Sequence, residues 1–402
     1  MAGTASQRLP WRKILQQIHL WLGIALAVPL VILGITGSIL VFHHEIEDFF
    51  RTDGAPATAG ERRALTEILA AAQATAPDRA PMMLRLPDAP GEPAAVRLSR
   101  PRGAERGAAG GSPFAGSIQV LVDPVSLAIV ESSNAATGFL RIMHDLHGNL
   151  MIGGRDGRVV VGWLGVVMLV MSVSGLVLWW PRGRWAGAFT VRRGARGLRL
   201  HRELHGAIGI WSLVVLAVVS FSGAYLAFPQ TMGAMVTGIF PGRDLRAAAG
   251  AVRVQPIRGA TPIDLEAAVA LAREASGGAA LRTAILPMRS DQPIRLILAR
   301  DGHSEGAPMI TVFVDPWAGR VVEILDPRAF TAGETILAWQ RAIHEGSGLG
   351  PVYKALVFLS GATIPVFAVT GVMMWLIKRA NRRRARNTPT PTTRPAIDLK
   401  SP

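Results

Sequence analysis

The sequence contains no cysteine among its 402 residues, and only 18% of its side chains are charged. The missing thiols exclude disulfides, thiolate-bound zinc, iron–sulfur clusters and covalently attached c-type haem. Any metal must therefore be held by histidine, methionine, tyrosine, carboxylate or backbone groups. Hydrophobic residues make up 50% of the chain and mean hydropathy is +0.31, which is too apolar for a soluble globular protein of this length. Composition predicts a membrane protein.

Four segments are long and apolar enough to cross a bilayer as helices, because a hydrocarbon core of about 30 Å takes roughly 20 helical residues. They lie at about residues 20–42, 159–180, 206–228 and 354–377. The first is longer than the apolar region of a usual signal peptide, and no small-residue cleavage site follows it. We interpret it as a retained span.

The net charge is +15, and the basic residues are distributed as the predicted topology requires. Arginine and lysine concentrate in the N-terminus, in the loop after the second span and in the tail, and the positive-inside rule places these three segments in the cytoplasm. The two long connections are close to charge-balanced and are predicted to be periplasmic. Since the basic residues do not share one folded face, nucleic-acid binding is not supported.

This topology divides the chain into eight predicted segments. They are the cytoplasmic N-terminus with the first span (1–44), a first periplasmic domain (45–146), the second span region (147–181), an arginine-rich loop (182–203), the third span (204–228), a second periplasmic domain (229–343), the fourth span region (344–378) and a basic cytoplasmic tail (379–402).

The chain also repeats itself at an offset of about 190 residues. Residues 18–42 align without a gap with 204–228, and residues 146–182 align with 343–379 after a one-residue gap. Each long connection has an alanine-rich, helix-like stretch followed by alternating apolar strands. A unit of span, external α/β domain and span thus occurs twice in the same direction, which predicts a pseudo-two-fold axis along the membrane normal.

The repeat pairs four of the nine histidines, aligning His19 with His205 and His147 with His344. Equivalent residues beside a two-fold axis can face each other across it, as the two axial imidazoles of a haem do. The first pair starts outward-running helices and is predicted on the cytoplasmic side, and the second precedes inward-running helices on the periplasmic side. An interfacial role is the alternative for any one of them, but ionisable residues at this depth are costly and tend to be functional.

Other histidines and several glycines accompany these pairs. Five histidines have no histidine partner in the repeat. His303 is interpreted as a solvated loop residue, and four are kept as reserve ligands: His43, His44, His144 and His201. Six glycines are expected to let a bulky planar ligand approach the helices, with ordinary helix packing as the alternative: Gly23, Gly37, Gly175, Gly209, Gly223 and Gly371. Arg141, Arg341 and Glu345 lie near the outer pair and are interpreted as interfacial anchors or as ligands for haem propionates or an anionic substrate.

Four motifs together resemble the PepSY-associated transmembrane family: "IHLWLG…GITGSILVF…E", "LHGNLMIGG…GLVLWWPR", "ELHGAIGIW" and "IHEGSGLG…TGVMMWL". The resemblance covers about residues 11–380, and both external segments look like PepSY domains. It implies an α-helical membrane protein of the bacterial inner membrane. The expected fold is a four-helix transmembrane bundle from two parallel repeats, with two small periplasmic α/β domains.

Better understood members of this family are similar to ferric-siderophore reductases that carry b-type haems. The resemblance therefore implies two haem b groups, one on His19 and His205 and one on His147 and His344. It also implies electron transfer across the membrane to a ferric siderophore or other ferric chelate, from quinol or a cytoplasmic reductase. The main alternative is a non-catalytic protein whose PepSY domains bind or regulate a periplasmic partner such as a protease.

Overall fold

The computed structural model describes residues 11–50, 58, 60–87, 91–101, 116–133, 138–181, 185 and 187–387. The predicted cytoplasmic ends at residues 1–10 and 388–402 lie outside these ranges. The helices are α1 (Trp11–Ala25), α2 (Ala27–Leu40), α3 (His43–Phe50), α4 (Leu65–Ala74), α5 (Phe139–Asn149), α6 (Gly154–Trp179), α7 (Gly197–Ala227), α8 (Pro229–Ile239), α9 (Leu245–Ala251), α10 (Leu265–Ala275), α11 (Ala332–Glu345) and α12 (Gly350–Asn387). The strands are β1 (Pro81–Arg85), β2 (Ala94–Leu98), β3 (Ile118–Val122), β4 (Ile129–Ser133), β5 (Ala280–Ile285), β6 (Ile294–Ala299), β7 (Ile310–Asp315) and β8 (Arg320–Leu325).

Three of the described helices, α6, α7 and α12, are long and apolar enough to cross a membrane. The consecutive helices α1 and α2 make a fourth span if they are counted together. The chain is therefore a multi-pass membrane protein, as its composition predicts. The assembly of the four spans into one symmetric bundle stays a prediction.

The first span is broken, although its sequence reads as one apolar run. Helices α1 and α2 meet at a bend of 67°. Pro29, the third residue of α2, has no N–H to donate to the carbonyl of Ala25, and its ring crowds that carbonyl. Val215 stands at the equivalent place in α7, and that helix runs through without a break.

The two long connections between spans form one sheet. All eight strands are antiparallel to their neighbours, in the order β4-β3-β2-β1-β5-β6-β7-β8. The first four strands come from the first segment and the last four from the second, joined where Leu84 pairs with Ala284. Pairing β1 with β5 satisfies the backbone groups that two separate sheets would leave on exposed edges. The two predicted domains are thus continuous through their strands.

One face of this sheet is packed against α4 and α10. Alternate strand residues such as Leu84, Val96 and Leu296 have no exposed surface, and they join Ile68 of α4 and Ala268 of α10 in a single core. Burying a large aliphatic side chain contributes roughly 1.5–3 kcal/mol. This shared core holds the two long connections together.

The repeat is also visible in the turns. Asp123, just after β3, accepts hydrogen bonds from the backbone N–H groups two and three residues further on, and Asp315, the last residue of β7, does the same. In each half, the carbonyl of the residue after the aspartate accepts a backbone hydrogen bond from the segment that leads into a helix. The N–H of Arg63, before α4, donates to Pro124, and the N–H of Ile263, before α10, donates to Pro316. The same side chain in the same turn thus fixes each helix against its strands.

Candidate functional site

His19 of α1 and His205 of α7 face each other, as the repeat predicts. Their ring centroids are 6.4 Å apart and the ring planes meet at 74°. Both side chains are half-buried. We call these two residues the inner pair.

A hydroxyl group fixes each ring of the inner pair. Nδ1 of His19 lies 2.8 Å from Oγ of Ser174 in α6, and Nδ1 of His205 lies 2.8 Å from Oγ1 of Thr370 in α12. Each hydroxyl already donates its hydrogen to a carbonyl of the preceding helical turn, at 3.1 Å and 2.7 Å respectively. The hydroxyl oxygen therefore accepts a hydrogen bond from Nδ1–H, which leaves the lone pair of Nε2 available.

His147 of α5 and His344 of α11 also face each other, and we call them the outer pair. Their ring centroids are 6.0 Å apart, with an angle of 46° between the planes. Helix α11 is held by a capping box between Thr331 and Glu334, and it ends at Gly346 with φ of 77°. That left-handed residue stops the helix immediately after the turn that carries His344.

A hydroxyl group also contacts Nδ1 of each ring of the outer pair. Nδ1 of His147 lies 3.2 Å from Oγ1 of Thr36 in α2 and 3.1 Å from the carbonyl three residues before it. Nδ1 of His344 lies 3.1 Å from Oγ of Ser222 in α7 and 3.1 Å from the carbonyl three residues before it. A carbonyl only accepts hydrogen bonds, so Nδ1 carries the hydrogen in both rings. The lone pair of Nε2 is therefore again available.

Four of the predicted glycines seat the histidine rings. A Cβ atom added at Gly37 or Gly223 would lie 2.8 Å or 2.9 Å from Cε1 of the outer histidines, whereas at Gly175 or Gly371 it would lie 3.5 Å or 3.9 Å from Cε1 of the inner ones. These glycines were expected to admit a planar ligand, but here an imidazole occupies the space beside each backbone.

The remaining two predicted glycines pack against other side chains. A Cβ atom at Gly23 would lie 3.3 Å from Cε of Met171, and one at Gly209 would lie 3.9 Å from Cε1 of Phe367. The contacts of Gly23 and Gly209 are those of ordinary helix packing, which was the alternative to admitting a planar ligand.

Each paired histidine therefore meets a hydroxyl residue followed by glycine on the other span of its own repeat. The four dipeptides are Thr36-Gly37, Ser174-Gly175, Ser222-Gly223 and Thr370-Gly371. The repeat aligns the glycines, but none of the four hydroxyl groups was predicted as a histidine partner. The recurrence of a hydroxyl–glycine dipeptide in every span was the available signal.

Three reserve histidines lie together, near the end of α2 and on α5. The ring centroids of His43 and His44 are 3.9 Å apart, and those of His43 and His144 are 6.3 Å apart. His44 also lies 3.8 Å from a carboxylate oxygen of Glu305. The fourth, His201, sits one helical turn before His205 in α7. Within the described part of the chain, no group of three or more histidine, cysteine or acidic side chains is placed to hold a metal ion.

Comparison with known proteins agrees with the resemblance seen in the motifs. The sequence matches the family model of the PepSY-associated TM region over residues 16–378. An uncharacterized protein of Pseudomonas aeruginosa is 41% identical over 86 residues, which is 21% of this chain and 21% of that relative. The chain thus matches about a fifth of the length of this curated relative. The family match covers most of the chain and includes all four paired histidines, so this protein belongs to the PepSY-associated transmembrane family.

Proposed function

We propose that this chain is a haem-carrying oxidoreductase of the bacterial inner membrane. It delivers electrons to the iron of a ferric siderophore or another ferric chelate in the periplasm. The observation that carries the proposal is the two facing histidine pairs, in which all four Nε2 atoms keep a free lone pair.

The spacing of each pair fits two imidazoles on one metal. A metal–imidazole bond is about 2 Å long, so two opposed nitrogens on one metal are about 4 Å apart, and their ring centres are about 6 Å apart. The observed centroid distances are 6.4 Å and 6.0 Å. Two protein ligands complete the coordination of haem iron because the porphyrin supplies the other four nitrogens.

The residues present therefore fit haem b. His19 with His205 would hold one group and His147 with His344 the other, without covalent attachment since the chain has no cysteine. When bound, haem b supplies one-electron redox chemistry.

The protein's own contribution is the orientation of the ligands. A hydrogen bond from Nδ1–H fixes the tautomer and the rotation of each ring, and it makes Nε2 more basic. Ser174, Thr370, Thr36 and Ser222 provide these bonds from helices that pack beside the histidines. A regulatory protein with a simple membrane anchor would have no use for four histidines fixed in this way.

The direction of electron transfer is proposed from the basic residues next to the spans. His19 and His205 each follow a segment rich in arginine or lysine, and they belong on the cytoplasmic side by the positive-inside rule. Quinol or a cytoplasmic reductase is the proposed electron donor.

Transient mixing of the purified protein with a ferric chelate tests the proposal. The full chain is reduced with a limiting amount of dithionite and mixed with ferric citrate in the presence of a chelator that absorbs only when it binds iron(II). We expect stoichiometric iron(II) from the parent and from His201→Ala, and a loss of at least tenfold in His344→Ala. Haem-loaded parent protein that produces no iron(II) would contradict a ferric-chelate reductase.

A further inference from the structure

The second repeat carries an uncharged helix at the place where the first repeat carries an acidic one. Helix α8 starts directly after the third span, at the position equivalent to the start of α3. Helix α3 has the sequence HHEIEDFF, in which three residues are acidic, whereas α8 has the sequence PQTMGAMVTGI without a charged residue. The two helices therefore hold equivalent places in the chain but suit different surroundings.

The uncharged run that contains α8 is longer than a membrane span needs. It extends from Gly206 in α7 to Gly242, beyond the end of α8, and the charged residues Arg243 and Asp244 follow it. A bilayer core takes roughly 20 helical residues, and α7 alone is long and apolar enough to cross it. Crossing the membrane therefore does not account for the missing charge in α8.

One face of α8 is buried by protein. Met232, Gly233 and Val236 are buried, and the first and last of them share a core with Tyr225 of α7 and Leu337 of α11. A Cβ atom added at Gly233 would lie 4.0 Å from Cε2 of Tyr225, whereas eight residues of a straight helix would separate the two positions by about 12 Å. Helix α8 therefore folds back beside the end of the third span.

The opposite face of α8 is apolar and exposed. Met235 and Ile239 lie one turn apart on this face, with exposed fractions of 56% and 76%, and Phe240 at the end of the helix is 42% exposed. A helix that lies along a membrane surface buries such an apolar face at the boundary between headgroups and acyl chains. The other face of such a helix usually meets water, but in α8 it is covered by α7 and α11.

Helix α8 is also fixed to the helix that carries His344. The N–H of Gly333, the second residue of α11, donates a hydrogen bond to the carbonyl of Pro241 at 2.9 Å. A Cβ atom added at Gly333 would lie 2.8 Å from that carbonyl oxygen, so the two backbones are in close contact. A surface that holds α8 therefore also holds the start of α11.

We propose that the exposed face of α8, formed by Met235, Ile239 and Phe240, lies in the outer leaflet of the bilayer. Lipid is the occupant because α8 folds back at the end of a span, so its exposed face continues the lipid-facing surface of α7. The contact is apolar and needs no anionic headgroup, since residues 229–242 carry no charge. This inference goes beyond the proposed function and requires no haem.

Spin labels on single cysteines test the proposal, and the chain has no cysteine of its own. Met235→Cys and Ile239→Cys are labelled with a nitroxide in the full chain in phosphatidylcholine nanodiscs. Collisions are measured with oxygen, which concentrates in the bilayer, and with a neutral nickel chelate, which stays in water. We expect the ratio of oxygen to nickel collisions at both positions to exceed that of the control Ala275→Cys, an exposed residue of α10, by about fivefold or more. Adding phosphatidylglycerol should leave the ratio unchanged.

Two results would overturn the proposal. Labels on α8 that collide mainly with the nickel chelate would place this face in water. Spectral broadening that disappears when labelled chain is diluted with unlabelled chain before reconstitution would place a second copy of the chain on it. A far-ultraviolet circular dichroism spectrum equal to that of the parent selects folded variants, and the second labelled position keeps the test valid if one variant does not fold.

Discussion

A serine or threonine hydroxyl stands behind each of the four paired histidines. The hydroxyl hydrogen is donated to the helix backbone, so the imidazole must donate from Nδ1 and the lone pair of Nε2 is left free. At the scale of single residues, the site is therefore two histidine pairs in a defined tautomer. This detail sets which nitrogen would bind a metal.

Removing a hydroxyl should weaken a site without abolishing it. Ser174→Ala and Thr370→Val delete the acceptors for Nδ1 of the inner pair. Loss of such an outer contact typically costs 10–100-fold in metal affinity. We expect partial haem loss and a shifted midpoint potential in each variant, measured by redox titration, with recovery in Ser174→Thr. Unchanged haem content and potential in both variants would show that the hydroxyls do not orient the rings.

Alanine substitutions at the four glycines that contact the histidine rings should affect haem binding differently at the two histidine pairs. Gly37→Ala and Gly223→Ala place a methyl group 2.8–2.9 Å from an outer imidazole, which must move, whereas Gly175→Ala and Gly371→Ala make ordinary contacts at 3.5–3.9 Å. Haem content per chain should fall by about one group in the first two variants and stay at the parent level in the last two. In a helix interior, Gly→Ala otherwise stabilises by roughly 0.5–1 kcal/mol. Equal haem retention by all four variants would contradict the contacts assigned to Gly37 and Gly223.

The repeat predicted which histidines lie close together, but it did not predict their hydrogen-bond partners. Aligning the two repeats selected His19, His205, His147 and His344, because equivalent positions are expected to meet beside a pseudo-two-fold axis, and both pairs of rings do lie about 6 Å apart. It could not show that Ser174 meets His19, since the two residues are 155 positions apart and neither alone marks a hydrogen bond.

At the scale of elements, the local patterns predicted the spans, one helix in each long connection and the strands that follow it, but not the shorter helices such as α5 and α11 or the joining of the sheet. Alternating apolar residues identify each strand from its neighbours in sequence. The β1–β5 pairing unites strands about 200 residues apart, and no local pattern specifies that partner. The break between α1 and α2 was likewise missed, although Pro29 supplies its cause.

The turn after β3 should make the sheet sensitive to acid. Burial alone would raise the pKa of Asp123, but hydrogen bonds from Thr58 and from the backbone of Val125 and Ser126 outweigh it and hold the pKa well below its usual range. A depressed carboxylate pKa stabilises the fold above the unfolded value of about 3.9, and this stability is lost as pH falls below it. Asp123→Asn should therefore lose roughly 1–3 kcal/mol at pH 7 and much less near pH 2.

Thermal unfolding followed by circular dichroism at both pH values measures this difference. The exposed substitution Asp78→Asn serves as the matched control and should unfold like the parent at pH 7. A loss in Asp123→Asn that is the same at both pH values would show that the charge of Asp123 is not what stabilises the turn.

At the scale of the whole molecule, the absence of cysteine makes the topology directly measurable. Ala275 ends α10 beside the sheet and Asn381 lies in the last part of α12, and both are exposed. In intact spheroplasts, a membrane-impermeant maleimide should label Ala275→Cys, whereas Asn381→Cys should react only after the membrane is permeabilised. The cysteine-free parent provides the background. Labelling of Asn381→Cys in intact spheroplasts would contradict a cytoplasmic tail.

The central claim is that the two histidine pairs bind haem. The most direct measurement is the optical spectrum of the full chain, purified from haem-replete cells, before and after reduction with dithionite. We predict the Soret and α-band changes of low-spin, bis-histidine haem b, with about two groups per chain; His19→Ala and His205→Ala should lose the same one, and His201→Ala should keep both. A featureless spectrum, or haem loss confined to His201→Ala, would contradict the account.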